Sequence, residues 1–477
     1  MSNGTAAVAP VALGCHQVLS GNAMKPLRTS LEMSSRALSR IALALVLAGG
    51  SALASAASPP ETGAPRVDHH QHLLSPQGAL LLNTPKQAQD VPAPVTALLR
   101  AHEAKWDDPE GLAPLYSHDA VALDTGETAW LQGRKEVAAH LALRFARPYQ
   151  ILPLAWRGDD RQGYLSALYS RGEGVERKNV GTVAMRFVRE GEAADGWRIA
   201  MQHSVFPGPV LEQPLDAERL VALLDAAGIR RAVVLSVGYW FQSPQFDVAD
   251  PVRSAREENT WTATQAARYP ERLLAFCSLN PISDAALDLL QACVDDGRFK
   301  GLKLHFGNGR IDLTNPAHLS RVRAVFAAAN AAGYAIVVHA RGDDTYGARH
   351  ARIVIDELLP AAPDVPVQMA HLWGGGAFAP EALAVYAEAV ATKHPATRRF
   401  IFDASDAAYA ATTPANAALL AQRMRQIGLD RMFYGSDGAF DGHPDPQASW
   451  QAFRKGIPLT DAEFATIVGN VAPYLRD

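Results

Sequence analysis

From residue 215 to the C-terminus, short apolar runs alternate with amphipathic helical segments, and this regularity limits the possible folds more than any other feature. Residues 215–228 read as an amphipathic helix closed by Gly228, a residue suited to a helix C-terminus. Apolar strands are expected at residues 231–236, 273–279, 301–306, 335–339, 365–371, 399–403 and 432–437. Helical segments lie between them, for example 318–332 and 414–427, the latter with Pro414 at its first position. Strands that are apolar throughout are buried on both faces, which calls for a parallel sheet covered by helices. Residues 67–72 supply one more strand and bring the total to eight. Eight strands favour a closed α/β barrel, the (β/α)8 type, over an open sheet.

The interval between the first strand and the second is too long for a crossover. Its texture also differs: helices at 94–105, 112–116 and 133–145, then long strands at 149–157, 163–172, 178–189 and 196–204. That order describes an α+β module inserted after barrel strand 1. The expected division is a signal peptide with an over-long N-terminus at 1–56, linker and first strand at 57–90, insert at 91–208, and the rest of the barrel at 209–477.

The first strand reads Asp68-His69-His70-Gln71-His72. Alternation puts Asp68, His70 and His72 on one face, with His69 and Gln71 on the other. Two imidazoles at i and i+2 can converge on a divalent cation. Further candidates end later strands: Lys303 and His305, His339 followed by Arg341, His371 followed by Trp373, and Asp437. A barrel gathers its strand ends into one ring, where the βα loops build the pocket. Arg341, Arg349 and His350 could bind a substrate carboxylate through guanidinium forks or could form a solvated loop face. Asp403 and Ser405 follow strand seven, Asp403 either steadying a ligand or capping the next helix.

The net charge of −4 offers no electrostatic basis for nucleic-acid binding; a small-molecule substrate is expected, anionic ones included. Arg36 and Arg40, the apolar run 41–54 and Ala54-Ser55-Ala56 compose an export signal cleaved after Ala56. The expected location is periplasmic or secreted, with no stable membrane span after processing. Residues before Met24 or Met33 resemble no n-region, which points to an internal start. Cys15 would be lost with the signal, and Cys277 and Cys293 would remain as separate core thiols or as a disulfide.

Asp68-x-His70-x-His72, Lys300-Gly301-Leu302-Lys303-Leu304-His305, Val337-Val338-His339-Ala340, Ala370-His371-Leu372 and Tyr434-Gly435-Ser436-Asp437 together resemble the amidohydrolase superfamily, in its amidohydrolase-related (family 2) branch. The resemblance implies one divalent metal per chain, zinc, held by His70, His72 and His339, with Asp437 completing or facing the shell. It further implies that Asp437 shuttles protons and that His371 polarises substrate or acts as acid and base. Lys303 would either bridge two metals as a carboxylated lysine or bind substrate; the second use is favoured, beside His305, Arg341 and Trp373. The implied reaction is hydrolysis of a small ester, lactone or amide by metal-activated water. Nonoxidative decarboxylation of a small carboxylic acid is the alternative, and a non-catalytic ligand-binding or sensing protein is the alternative of another class. Gly438-Ala439-Phe440 after Asp437, and Trp373 ahead of Gly374-Gly375-Gly376, depart from the family's usual pattern.

Within the insert, the opening helix with Trp106, the Ser117-His118-Asp119-Ala120-Val121 turn, Gly133-Arg134-Lys135-Glu136 and Gly196-Trp197-Arg198-Ile199 resemble SnoaL-like domains of the nuclear-transport-factor-like superfamily. His102, His118 and His203 are scattered in it, so a lid or a homo-oligomer contact is expected rather than a second catalytic set.

Overall fold

The computed structural model describes residues 63–475, apart from 85–86, 126, 146, 173–177, 192–195, 207–211 and 441–442. The expected export signal, its cleavage site, the internal start and Cys15 lie outside the described residues.

Barrel strand β1 is Val67–Gln71. A second sheet follows, made of β2 (Tyr116–Asp124), β3 (Leu131–Gln132), β4 (Gln150–Gly158), β5 (Gln162–Arg171), β6 (Lys178–Arg189) and β7 (Trp197–Val205). The barrel resumes with β8 (Arg231–Leu235), β9 (Leu273–Ser278), β10 (Phe299–His305), β11 (Ala335–His339), β12 (Val367–Met369), β13 (Phe400–Asp403) and β14 (Met432–Phe433). The barrel sheet runs β1-β8-β9-β10-β11-β12-β13-β14, every pair parallel. Its two ends meet: His69 N–H donates to the Tyr434 carbonyl at 2.8 Å, and Asp437 N–H donates to the His70 carbonyl at 2.8 Å.

Alternation along each strand sorts the core into two layers. Ala232 and Val234 of β8 join the large core beneath the helices, while Val233 and Leu235 face inward with Phe276, Val337 and Phe433. The C-terminal turn plugs the other end of the barrel. Ala472 N–H donates to His69 Nε2 at 3.2 Å, and Tyr474 Oη donates to Gln368 Oε1 at 2.6 Å. His69 Nδ1 bonds the Tyr434 carbonyl at 3.1 Å, so this histidine is structural and points away from its two neighbours' task. Burial pushes its pKa down to about 4.

Helix signals act where the sequence places them. Asn315 caps Pro316–Ala331, and Thr413 caps Pro414–Ile427, each helix with proline in its first turn. Gly228 takes a positive φ of 71° beyond the helix Ala217–Ala226. Cys277 on β9 and Cys293 on the helix Ala286–Asp296 form a disulfide, with Cα atoms 6.2 Å apart.

The second sheet runs β3-β2-β7-β6-β5-β4. The helix Ala93–Ala104 buries Val95, Leu98, Leu99 and His102, one face at helical spacing. His102 is the polar hub of this small core. Its Nε2 bonds Tyr116 Oη at 2.6 Å, Tyr149 Oη donates to Nδ1 at 2.9 Å, and Tyr116 donates on to Gln202 at 2.7 Å. β2 departs from expectation. A helix at 112–116 and a turn at 117–121 were expected; instead one turn ends at Leu115 and a nine-residue strand begins at Tyr116. Inward positions Ala120, Ala122 and Asp124 are small or polar, which hides the period-two pattern, and β2 pairs parallel with β7.

The chain enters and leaves this module side by side. Leu74 and Leu215 form an antiparallel bridge, and Asn83 and Glu212 exchange side-chain-to-backbone bonds at 2.9 Å in both directions. Just beyond β1, Ser75 caps the helix Pro76–Asn83 and donates to Glu258 Oε2 on the helix Pro251–Ala267. Burial raises the Glu258 pKa from 4.5 to about 7. Between those values the unfolded chain releases the proton and the folded chain keeps it, so stability falls as pH rises. Glu258→Gln should therefore gain on the wild type by about 3 kcal/mol between pH 4 and pH 8. Urea unfolding of both proteins at the two pH values measures this, and an unchanged difference would show Glu258 to be ionised in the fold.

Candidate active site

Three strands and the turns after three more converge at the C-terminal rim of the barrel. β1 delivers His70 and His72, β10 delivers Lys303, β11 delivers His339, and the turns after β12, β13 and β14 deliver His371, Asp403 with Asp406, and Asp437. β1 bulges between Asp68 and Gln71 against β8, so its faces do not alternate strictly. Asp68 accepts from Ser436 N–H at 3.1 Å and from Ser436 Oγ at 2.5 Å. That bond fixes the residue next to Asp437. Gly435 admits this approach, since a Cβ there would stand 2.6 Å from the His70 Cβ.

Asp437 is the centre of the site. It sits at φ 64°, a left-handed conformation that costs a non-glycine residue and turns its carboxylate back over the barrel mouth. Oδ1 lies 2.9 Å from His70 Nε2 and 3.4 Å from His72 Nε2. Oδ2 lies 3.8 Å from His371 Nε2 and 3.7 Å from His443 Nε2. Burial opposes its ionisation, but His70 and His371 hold its pKa well below the carboxylate range.

The other ring nitrogens are occupied by oxygen acceptors. His72 Nδ1 donates to the Leu235 carbonyl at 2.6 Å. His70 Nδ1 faces Asp403 Oδ2 at 3.1 Å, and Asp403 also accepts from Gln368 at 2.7 Å and from the His371 amide at 3.0 Å. His371 Nδ1 lies 3.0 Å from Ser405 Oγ and 3.3 Å from Asp406 Oδ2. Each Nε2 is thereby directed at the carboxylate of Asp437, an acceptor facing an acceptor, which is stable only with a cation or proton between them. Such outer-shell bonding is the usual setting of metal-bound histidine.

The electrostatics fit a divalent cation. Burial and Lys303 oppose charge on His70, yet Asp437 and Asp403 raise its pKa to about 9, so carboxylates hold positive charge at this point. Burial pushes His72 down to about 4 and keeps His339 and His305 well below the imidazole range, leaving neutral rings with lone pairs to give. Lys303 is buried, 2.9 Å from His70 Nε2, and burial lowers its pKa to about 8 against the pull of Asp437, Asp403 and Asp406.

The residues expected from sequence are not all brought equally close. One donor atom each from His70, His371 and Asp437 lies within 4.8 Å of the others, and Asp406, Asp437 and His443 form a second such group. His72 joins through Asp437 Oδ1. His339 stands one ring away, stacked on His305 at 3.8 Å and edge-on to His371 at 5.1 Å. Gly375, at φ 95°, makes room for it: a Cβ would come within 2.1 Å of its ring. His305 accepts from the Asn308 amide and stacks on Tyr239. Arg341 is engaged in its own loop, donating to the Ala377 carbonyl at 3.0 Å and to Asp344 at 3.2 Å. Trp373 is core filler, 1% exposed, with Nε1 bonded to the Gly375 carbonyl. His350 stacks on Tyr346. Sequence reasoning passed over Asp406 and His443; the only signal was their position just after strands seven and eight.

A closed parallel barrel with histidines and carboxylates at its strand ends is the arrangement of metal-dependent barrel enzymes. The amidohydrolase family profile matches residues 212–472, and the chain belongs to that family. Among solved structures, it is similar to a probable 2-pyrone-4,6-dicarboxylic acid hydrolase from Acinetobacter baumannii (16% identity, 55% of this chain and 88% of that one, TM-score 0.37). It is also similar to 2,6-dihydroxybenzoate decarboxylase from Rhizobium (19% identity, 52% and 84%, TM-score 0.37). An NTF2-like protein of unknown function from Pseudomonas putida is similar to it over 28% of this chain and 98% of that one (15% identity, TM-score 0.21). The N-terminal part is where the NTF2-like relatives fall. No curated protein matched the chain.

Asp403 orients His70 from behind, so Asp403→Asn should weaken any divalent-metal binding at His70 about 10- to 100-fold with the fold intact. Chelator competition measures the affinity, and an unaltered value would leave Asp403 with a packing role alone.

Proposed function

We propose that this protein is an exported metal-dependent hydrolase acting on a small ester, lactone or amide. The observation that carries the reading is Asp437, whose two oxygens face Nε2 atoms of His70, His72, His371 and His443 at the barrel mouth. His70, His72 and Asp437, with His339 alongside, would hold one tightly bound divalent ion, zinc by donor chemistry. When bound, such an ion supplies Lewis acidity, polarising oxygen and easing deprotonation of water. The chain's residues do the rest. Asp437 accepts the proton, because its carboxylate stays ionised and reaches the mouth of the site. His371, steadied by Ser405 and Asp406, hands a proton to the leaving group. Lys303 adds a buried positive charge that attracts an anionic substrate, with His305 beside it. Arg341 is tied to its loop and would need to exchange partners to assist.

The disulfide between Cys277 and Cys293 supports an oxidising compartment, in line with the export signal. Among the described residues, no helix is long and apolar enough to cross a membrane. The inserted module, residues 91–208, is read as a lid or as a contact between copies, since it interrupts the chain between the strand that carries His70 and the rest of the barrel.

Metal analysis tests the site. The His70→Ala/His72→Ala double variant should lose its tightly bound metal, and full retention would overturn the assignment. Asp437→Asn should keep metal and lose turnover by about 10²-fold or more on a panel of esters, lactones and amides. Near-normal turnover would move the proton transfer to His371, and carbon dioxide release from small carboxylic acids would make the enzyme a decarboxylase. Replacing residues 91–208 with a flexible linker should leave metal content unchanged while altering KM or oligomeric state. Unaltered kinetics and mass would remove both roles from the inserted module.

A further inference from the structure

We propose that Gln368, locked by Tyr474 of the C-terminal turn, is a positioning residue for His70: it fixes the Asp403 carboxylate that aims the His70 ring into the site. The inference rests on the reading of His70 as a metal ligand. It ties the hold on the ion to a side chain at the opposite end of the barrel.

Gln368 is out of place in its surroundings. It lies at the centre of β12, wholly buried, in register with Val337 of β11 and Ile401 of β13. Those two neighbours belong to the apolar layer inside the barrel. An amide buried there loses its water and must find its partners within the protein. It finds them in one orientation only. Nε2 donates to Asp403 Oδ2 at 2.7 Å and to the His69 carbonyl at 3.2 Å. Oε1 accepts from Tyr474 Oη at 2.6 Å. Burial and the charge of Asp403 push the Tyr474 phenol well above its ordinary pKa, so the hydroxyl keeps its proton to donate. A flipped amide would set its carbonyl against a carboxylate oxygen and a second carbonyl, acceptor against acceptor. Tyr474 thus fixes which way the amide points. Its ring is held in turn, edge-on to Phe276 at 5.2 Å.

The next link is Asp403. Its Oδ2 serves Gln368 Nε2 at 2.7 Å and His70 Nδ1 at 3.1 Å. Its Oδ1 accepts from the amides of His371 and Ser405 at 3.0 and 3.3 Å. The carboxylate is therefore held by both oxygens, and His70 presents Nδ1 to it and Nε2 to Asp437. A line of hydrogen bonds, Tyr474 to Gln368 to Asp403 to His70, connects the C-terminal plug to the site. The partner behind a ligating imidazole sets the orientation and basicity of the ring. Gln368 acts on that partner, and Tyr474 acts through Gln368.

Zinc affinity of the full chain, measured by chelator competition, tests the line. Gln368→Met keeps the volume and removes the amide, and it should weaken zinc binding about tenfold. Tyr474→Phe removes one oxygen and should weaken binding by less, in the same direction. Combined with Gln368→Met, it should add nothing, because the hydroxyl acts only through the amide. The visible absorption of the cobalt(II)-loaded Gln368→Met variant should differ from the wild type's, since the ring that faces the ion has turned. Leu475→Ala is the control. Leu475 packs in the same layer outside the line, so this variant loosens the plug and should bind zinc as the wild type does. A loss in Leu475→Ala as large as that in Gln368→Met, or additive losses in the double variant, would assign the effect to general loosening and overturn the proposal. Unchanged affinity in either Gln368→Met or Tyr474→Phe also overturns it and leaves His70 a ligand. A wild type that binds no zinc overturns the reading of His70 as well.

Discussion

The site depends on the seam where the last barrel strand meets the first. Two main-chain bonds, His69 to Tyr434 and Asp437 to His70, join segments more than 360 residues apart in sequence. Asp68 reinforces the seam by taking both the amide and the hydroxyl of Ser436. Parallel strands staggered in a barrel present their ends at one rim, but only this closure brings Asp437 over His70 and His72. Gly435 is part of the same device, since any side chain there would push the two strands apart.

Charge is managed by burial on one side and carboxylates on the other. Desolvation keeps His72, His305 and His339 neutral, whereas Asp437 and Asp403 are strong enough to keep positive charge on His70. Lys303, in the same buried space, is lowered rather than raised, because desolvation outweighs three nearby carboxylates. The pocket thus sets neutral imidazoles beside one charged histidine held between two carboxylates. Burying charged groups costs folding energy even when they are paired, and such clusters are common at functional sites.

Much of this was legible in the sequence, for reasons that differ by residue. The barrel strands showed because parallel strands buried on both faces are apolar throughout, and His70, His72, His339, His371 and Asp437 stood out as polar residues ending apolar runs. β2 did not show, because Ala120, Ala122 and Asp124 fill its inward positions without a hydrophobic signal. Asp406 and His443 lie in loops, where no period marks which side chain turns inward. Trp373 stood among the expected substrate-binding residues and Arg341 carried two readings; only packing could place the first in the core and the second in its own loop. The bulge in β1 broke the strict alternation expected of Asp68, His70 and His72 while leaving both histidines at the site.

The seam has a consequence for when the site can form. His70 and His72 emerge early in synthesis, and Asp437 emerges near its end, so the nascent chain offers only an isolated histidine pair. The complete donor set exists only once the final strand has docked, after the intervening barrel has formed. The donor set is therefore a property of the closed barrel, not of the early segment that carries two of its histidines.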